Sequence, residues 1–287
     1  MNNTIVVGCD IGGSHISTAL VNLTDKKLIE GTFVRQAVNS HDTVSAIIAS
    51  WANCIQSSLI QGNLAKLPVG IAIPGPFNYE NGVSLMKGQN KYEALYNVNV
   101  KDLLADKLGI ASTSIKFIND AASFLQGEMF AGSGTTFKKA VGLTLGTGLG
   151  SAFFLNGHAV DGDLWCTPFK EGIAEDYLSG RWLKDTYCRR SGKQIESVKA
   201  LCKLVPADPI ATAVFKEFGE TLGEFIVDYL LPKSPEGLIL GGNIAKAHDL
   251  FLEYTSRLLN NKSVSLPIAI ADLGEMAAIY GAADVLK

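Results

Sequence analysis

The sequence is short of the residues that build metal centres and disulfide frameworks. It has four histidines and five cysteines among 287 residues, and the cysteines are odd in number and widely spaced. No two of them stand in a Cys-x-Cys or Cys-x-x-Cys arrangement. A structural zinc site needs four clustered ligands, and a secreted disulfide scaffold needs paired cysteines. We therefore expect no structural zinc and a reducing, cytoplasmic environment.

Basic clusters and long apolar stretches are absent as well. The net charge is −3 and no run of Lys or Arg occurs, which argues against nucleic acid and anionic membranes as partners. No apolar stretch approaches the roughly 20 residues that span a bilayer. The N-terminus also lacks the basic region and cleavage site of a signal peptide. What remains, 47% apolar and 18% charged, suits one large or two medium globular domains.

Glycine, by contrast, is concentrated in a few short segments. Gly146-Thr-Gly-Leu-Gly150 follows the apolar run Val141-Gly-Leu-Thr. A dinucleotide-binding fingerprint would require a helix next. The residues that follow, Ala152-Phe-Phe-Leu-Asn-Gly157, instead predict a second strand that ends in a tight turn. These glycines are therefore predicted to form the tip of a β-hairpin.

A similar segment occurs 134 residues earlier. With Val7 placed over Val141, sixteen residues align without a gap and five are identical, including Gly12 with Gly146 and Ser17 with Ser151. Five identities can arise by chance in a glycine-rich chain. The spacing of about half the chain nevertheless favours two similar domains that face one another.

Strands and helices alternate in both halves, which predicts an α/β fold. No linker rich in Pro or Ser separates the halves, so we expect a hinged cleft. The predicted elements are a helix over 42–55, strands over 68–73 and 114–118, a helix from Asp120, a helix over 215–230 and a strand over 237–240.

Polar residues follow two of the predicted strands. Asp10 precedes Gly12-Gly13-Ser14, a turn whose N–H groups can bind phosphate while the carboxylate holds Mg²⁺ directly or through water. An ordinary hairpin with a solvated Asp is the alternative. Asn119 and Asp120 open a helix, where either residue type is a common N-cap. Asp120 could also accept a hydroxyl proton while Asn119 orients the same substrate.

Taken in order, these motifs resemble the ROK family of sugar kinases and sugar-responsive repressors, within the actin-like and hexokinase-like ATPase fold. The resemblance covers nearly the whole chain. It rests on Asp10-Ile-Gly-Gly-Ser14, Ile73-Pro-Gly-Pro76, Asn119-Asp-Ala121, Gly127-Glu128 with Ala131-Gly132, the 146–150 turn with Asn156-Gly157, Leu240-Gly-Gly-Asn243, and Asp272-Leu-Gly-Glu-Met-Ala-Ala-Ile-Tyr-Gly-Ala-Ala283.

The resemblance implies an α/β fold of two actin-like, ribonuclease-H-like domains with a central cleft. The smaller domain would comprise residues 1–118 and 274–287, and the larger one residues 119–273. It implies a homodimer and glucokinase-like phosphorylation of a hexose with ATP and Mg²⁺. Asp120 would be the general base and Asp10 the Mg²⁺ ligand. Sugar contacts would come from Asn119, Glu175, Gly75 and Asn90, and phosphate or nucleotide contacts from Gly12, Gly13, Ser14, His15, Gly146, Thr147, Gly148, Gly241, Gly242 and Asn243.

The chain lacks motifs that the family uses for zinc binding and for part of its sugar contacts. Members usually carry Gly-Glu-x-Gly-His and a Cys-rich zinc motif before a Leu-Glu-x-Tyr-x-Ser-Gly segment, which here looks like Ala174-Glu-Asp-Tyr-Leu-Ser-Gly180. The interval 161–173 has no His and a single Cys. Substitute sugar contacts must come from elsewhere, with Trp165, Lys170 and Glu171 as candidates. The first turn also reads Gly-Gly-Ser-His where Gly-Gly-Thr-Lys is usual.

Two alternatives to an ATP-dependent kinase stay open. The missing zinc segment is similar to that of the polyphosphate-dependent glucokinases of the family, although their Glu-Leu-Gly-His segment is absent. A non-catalytic sugar sensor is the other alternative. Family repressors carry an N-terminal helix-turn-helix, and the first predicted strand, starting by Thr4, leaves no room for one.

Overall fold

A computed structural model describes residues 4–287, which divide by their contacts into two compact units. Unit 1 contains the residues up to 135 together with His158–Val160 and Glu275–Lys287, and unit 2 contains Thr136–Gly157 and Asp161–Gly274. The predicted domains differ from this division in segment 119–135, whose contacts lie within unit 1, and in His158–Val160 and Gly274.

Unit 1 is built on a six-stranded mixed sheet. Its strand order is β3-β2-β1-β5-β8, with β4 beside β2. β1 pairs antiparallel with β2 and parallel with β5, which is parallel to β8. The strands are β1 (Ile5–Ile11), β2 (His15–Asn22), β3 (Lys27–Leu28), β4 (Val34–Ala37), β5 (Val69–Ile73), β6 (Phe77–Asn78), β7 (Val83–Ser84) and β8 (Ile115–Asn119).

Three of the helices of unit 1 follow β4, β7 and β8 in turn: α1 (Val44–Gln61), α2 (Val100–Leu108) and α3 (Asp120–Ala131). α1 begins after Thr43, whose side chain accepts a hydrogen bond from Ala46 N–H and so caps the helix. Its apolar residues recur at helical spacing and place Trp51 and Ile55 in the core, as the sequence pattern predicts.

Unit 2 is also an α/β unit. Its strands are β9 (Ala140–Leu145), β10 (Leu149–Leu155), β11 (His158–Asp161, mostly counted with unit 1), β12 (Pro168–Phe169), β13 (Gly172–Ile173), β14 (Gly237–Gly241) and β15 (Ile268–Ile270). Its helices are α4 (Ala174–Tyr177), α5 (Gly180–Ser191), α6 (Val198–Cys202), α7 (Pro209–Phe225), α8 (Gly242–Ala245) and α9 (Leu252–Asn261). No helix within residues 4–287 is both long and apolar enough to cross a membrane.

The two sheets share a topology. In unit 1 the order β2-β1-β5-β8 is an antiparallel hairpin followed by two parallel strands, and in unit 2 the order β10-β9-β14-β15 repeats that arrangement. The predicted similarity of the two halves is confirmed. The gap-free alignment is wrong at the turn, however: four residues separate the paired Ile11 and Ile16, but only three separate the paired Leu145 and Leu149.

The last helix, α10 (Ala277–Asp284), belongs to unit 1 and packs against α3, β1 and β5. The two helices approach so closely that a Cβ added at Gly127 would lie 1.9 Å from Ala277 O, and one at Gly281 would lie 1.8 Å from Ser123 O. No side chain fits at either distance, so both glycines are required for this contact. This packing explains why glycines occur in the two helical segments that carry the family resemblance.

Candidate functional site

The carboxyl ends of three parallel strands meet at one edge of the unit 1 sheet. Asp10 pairs with Ala72 across β1 and β5, and Ile73 pairs with Asn119 across β5 and β8. Asp10 and Asn119 therefore lie at the same end of β1 and β8, the strands on either side of β5, and Asp120 begins α3 there. In open α/β sheets, ligands bind beyond this edge.

The surroundings of Asp10 disfavour its ionised form. Burial, and after it the negative charge of Asp120, raises the pKa of Asp10 to about 6, while Arg35 acts in the opposite direction. Arg35 in turn forms an ion pair with Glu275 at 2.8 Å. The positive charge near Asp10 is therefore shared with a second carboxylate, and the cluster carries uncompensated negative charge.

Asn119 caps α3 and is also tied to a neighbouring loop. Its Oδ1 accepts a hydrogen bond from Ala122 N–H at 3.0 Å, and its Nδ2 donates to Tyr79 Oη at 3.2 Å. Asn119 is buried whereas Asp120 is exposed, and Asp120 Oδ1 accepts from Ala121 N–H. The N-cap reading is thus confirmed for Asn119, and one amide hydrogen is left over for a substrate.

The first turn exposes unpaired backbone donors. Gly12 N–H donates to His15 O at 2.9 Å, whereas the N–H groups of Gly13 and Ser14 have no acceptor among residues 4–287. Ser14 Oγ and His15 Nδ1 share a hydrogen bond of 2.9 Å. Adjacent free N–H groups of this kind form a concave anion site. The turn borders a polar cavity of about 280 Å³, lined by Asp10, Gly12, Ser14, His15, Ser17, Arg35 and Glu275.

Two further predicted sugar contacts also lie in unit 1. Asn90 is exposed, has φ +55°, and donates its N–H to Glu93 Oε1 at 3.1 Å. A Cβ at Gly75 would lie 3.2 Å from Tyr79 Oη, the hydroxyl that also accepts from Asn119. Tyr79, which the sequence patterns did not single out, therefore links the segment after β5 to the start of α3.

The second turn, in unit 2, likewise presents free donors. Gly146 N–H donates to Gly148 O, and the N–H groups of Thr147 and Gly148 have no acceptor in the described part of the chain. The N-terminus of α5 fixes the turn, because Gly180 N–H donates to Gly146 O at 2.8 Å. The predicted hairpin of β9 and β10 is confirmed. The tight turn predicted after its second strand is confirmed by the positive φ of Asn156 and Gly157.

Glu175 packs directly against this second turn. Its Oε2 accepts a hydrogen bond from Leu149 N–H at 3.0 Å, and a Cβ at Gly148 would lie 2.3 Å from the same oxygen. Glycine at 148 is thus needed for the carboxylate to reach the turn. Oε1 of Glu175 has no partner within residues 4–287, so the sugar contact implied by the resemblance is open to that oxygen.

The β14–α8 connection closes on the end of β9. Gly242 has φ +84°, and a Cβ there would lie 2.3 Å from Leu145 O, so conformation and space both require glycine. Gly241 ends β14 opposite Thr144. Asn243 is exposed, and its side chain accepts a hydrogen bond from Lys246 Nζ at 3.0 Å. The predicted nucleotide-side residues of unit 2 therefore fall into neighbouring turns.

The candidate substitutes for the missing sugar contacts differ in availability. Lys170 Nζ forms an ion pair with Glu224 at 2.9 Å and hydrogen bonds Thr221, which gives it a structural role. Trp165 is 45% exposed and its Nε1 donates to Asp163. Glu171 is exposed. All three are exposed, and Trp165 and Glu171 are the two without an ion pair in the described part of the chain.

No group of three or more His, Cys, Asp or Glu side chains within residues 4–287 is placed to hold a metal ion. Mg²⁺ does not require such a group, since it is commonly held by one or two carboxylates, waters and substrate phosphates. Asp10 supplies a hard oxygen donor inside a cluster with excess negative charge. The chemistry of this corner of unit 1 therefore fits Mg²⁺.

The fold and these turns place the protein in a known family. The ROK family model matches residues 6–167 and 164–287, and the chain belongs to that family. The chain is 25% identical to an N-acetylgalactosamine kinase from Shewanella sp. strain ANA-3, over 96% of this chain and 94% of that protein. It is 24% identical to a glucokinase from Thermotoga maritima, over 98% and 97%.

Solved structures agree with this assignment. A ROK family glucokinase from Streptomyces griseus, in complex with glucose and AMPPNP, superposes with a TM-score of 0.75 at 20% identity and 98% coverage of both chains. A ROK family transcriptional regulator, a homologue of an Escherichia coli protein, gives a TM-score of 0.80 at 18% identity, covering 99% of this chain and 78% of that one. The protein has the two-domain, actin-like ATPase fold of these structures.

Proposed function

We propose that the protein is a sugar kinase that transfers the terminal phosphoryl group of ATP to a hydroxyl of a hexose. One observation carries the proposal: Asp120 and Asp10 lie at one edge of the unit 1 sheet, beside a turn with unpaired N–H groups. That edge combines a proton acceptor with an anion site. The sugar kinases among the relatives support the same reaction class.

In this proposal Asp120 accepts the proton of the attacking sugar hydroxyl. The exposure of Asp120 leaves it accessible to a substrate, and its attachment to the first turn of α3 fixes its position. Asn119 is held by Ala122 and Tyr79, so its remaining amide hydrogen can orient the same sugar. Gly75, Asn90 and Glu175 are the further proposed sugar contacts. Precise positioning is the main demand of phosphoryl transfer.

The turn of Gly12, Gly13, Ser14 and His15 in unit 1 would bind donor phosphates, chiefly through the free N–H groups of Gly13 and Ser14. Asp10 would hold Mg²⁺, which when bound neutralises phosphate charge. In unit 2, Gly146, Thr147 and Gly148, with Gly241, Gly242 and Asn243, would bind the nucleotide. Both turns leave two backbone donors unpaired within residues 4–287, which favours anionic ligands for each.

The test is ADP release from ATP and Mg²⁺ with a panel of glucose, mannose, N-acetylglucosamine, N-acetylgalactosamine and N-acetylmannosamine. Wild type is compared with Asp120→Asn, and a parallel assay with inorganic polyphosphate tests the alternative donor. Sugar-dependent turnover that is lost in the variant supports the proposal and identifies the sugar. Turnover equal to that of the variant with every sugar and both donors would contradict it.

A non-catalytic sugar sensor is the second candidate, favoured by the structural match to a transcriptional regulator. A sensor would bind a sugar without consuming ATP. Calorimetric titration with the same panel separates the two, because binding without turnover supports the sensor. The homodimer implied by the resemblance and the cytoplasmic location expected from the cysteines remain predictions, and sedimentation checks the first.

A further inference from the structure

A segment with no phosphate-binding motif lies against the first turn. Tyr92 is fully buried, and its Oη donates a hydrogen bond to Gly12 O at 2.6 Å. Its N–H donates to Ser40 O at 2.8 Å, and its ring packs edge-on against Trp51. The backbone next to Tyr92 is therefore held at a fixed position beside the turn.

The residues before it are fixed as well. The carboxylate of Glu93 accepts hydrogen bonds from the N–H groups of Gly88, Gln89 and Asn90, at 3.1, 2.8 and 3.1 Å. These bonds, led by that from Gly88, lower the pKa of Glu93, so the carboxylate stays charged and the loop stays closed around it. Lys91 lies between these two anchored parts.

The side chain of Lys91 extends along the glycine turn. A Cβ at Gly13 would lie 3.6 Å from Lys91 Cδ, so the alkyl chain of the lysine is in van der Waals contact with that position. The ammonium group is two bonds beyond Cδ. Lys91 is half-buried and has no ion-pair partner within residues 4–287. Lys91 is thus a cation without an ion pair whose alkyl chain reaches the turn, whereas Arg35 is engaged by Glu275.

We propose that Lys91 is a further catalytic residue, whose ammonium contacts the terminal phosphoryl group of the donor bound at the Gly12–Ser14 turn. This inference rests on the proposed kinase function. Lys91 follows Asn90, a proposed sugar contact, so it stands between the acceptor and the phosphate turn. A fixed cation at that point neutralises charge that develops during transfer, and such interactions strengthen in a dry site.

Lys91→Met tests the proposal, with Lys91→Arg as the charge-conserving variant. Lys87→Met is the matched control, because Lys87 is an exposed lysine in the same loop that lies over Tyr96. We expect Lys91→Met to lower kcat by about 100-fold. Lys91→Arg should recover most of that loss. Lys87→Met should stay within about 2-fold of wild type, since it removes an exposed charge and its contact with the exposed ring of Tyr96.

A binding measurement separates contact from structural support. Lys91→Met should weaken binding of a non-hydrolysable ATP analogue by about 10-fold, the loss of about one charged hydrogen bond, and leave ADP binding unchanged. Equal weakening of both nucleotides, or kcat within about 3-fold of wild type, would overturn the proposal. The binding arm needs no sugar, so it tests Lys91 even if wild type shows no turnover, which by itself would contradict only the kinase function.

Discussion

The two glycine turns occupy equivalent places in two sheets of the same topology, yet their surroundings differ. The first turn lies among ionisable side chains, with Asp10 before it, His15 after it, and Arg35 and Lys91 beside it. The second contains no ionisable residue between Leu145 and Gly150, and one carboxylate, Glu175, accepts from its backbone. The shared topology supplies free N–H groups in both, and side chains from other segments decide what each turn can do.

For the proposed kinase, we infer from these differences that unit 1 carries the chemistry and unit 2 has a binding role. Beside the first turn, burial raises the pKa of Asp10, and the charges of Asp120, Arg35 and Glu275 perturb it further. At the second turn, neighbouring atoms lie so close to Gly148 and Gly242 that neither position has room for a side chain. Substitutions near the first turn should therefore lower turnover more than they lower stability. Substitutions at the crowded glycines of unit 2 should lower stability more than turnover.

Asp10→Asn should have the largest effect. It removes the carboxylate proposed to hold Mg²⁺, and we expect kcat to fall at least about 100-fold, as for other charge-stabilising groups. Steady-state kinetics with saturating Mg²⁺ measures the loss. Asp106→Asn, an exposed carboxylate change on α2, is the control and should leave kcat unaltered. Near-wild-type activity of Asp10→Asn would remove the distinction between the two turns.

Gly242→Ala should destabilise unit 2 by about 2–4 kcal/mol, because the new methyl group combines an unfavourable φ with overpacking. Gly146→Ala is its partner in the comparison, since a Cβ there meets nothing within 4 Å. We expect it to change stability by less than about 1 kcal/mol. Guanidinium unfolding of both variants checks the difference, and equal losses would contradict the packing described for this turn.

The pH dependence of stability tests the charge cluster of unit 1. Because burial raises the pKa of Asp10 to about 6, its protonated form is favoured in the folded protein. The stability this proton contributes is complete below the ordinary pKa of 3.8 and is lost as the pH rises through about 6. Asp10→Asn removes that loss. Its gain in free energy of unfolding should therefore grow by about 2–2.5 kcal/mol between pH 4 and pH 7. A pH-independent difference would contradict the raised pKa.

Tyr92→Phe should have the smallest effect. It removes the hydrogen bond to Gly12 O while keeping the ring packed on Trp51, and should cost about 1 kcal/mol of stability. The KM for ATP should rise only a few-fold, because the turn keeps its other bonds. Thermal unfolding and kinetics measure both. An unchanged KM together with unchanged stability would show that this hydrogen bond does not support the turn.

Much of the fold follows from local sequence. The hairpin at 146–150 is predicted because strand-type residues, rather than a helix, follow the glycines. The predicted strands at 68–73, 114–118 and 237–240 appear as Val69–Ile73, Ile115–Asn119 and Gly237–Gly241. The predicted helix over 215–230 begins earlier, at Pro209, because Asp208 caps it by accepting from Ile210 and Ala211 N–H.

The rest of the site depends on contacts between distant segments. Tyr92 and Gly12 are 80 residues apart, and Gly281 meets Ser123 across 158 residues, so no local pattern reveals either contact. The gap-free alignment also missed the difference in turn length. The second turn is one residue shorter than the first, and two glycine-rich segments look alike in composition whether or not their lengths agree. No local pattern reveals the ion pair of Lys170 with Glu224 either, since Glu224 lies on a helix 54 residues away.

The most direct test of the account is the chemical step itself. Rapid-quench transfer of the labelled terminal phosphoryl group from ATP to the preferred sugar is compared for wild type and Asp120→Asn, at saturating concentrations of both substrates. The account predicts a transfer rate about 10²–10⁴-fold lower in the variant, with both dissociation constants unchanged. Equal transfer rates would show that Asp120 takes no part in proton removal and would contradict the proposed site.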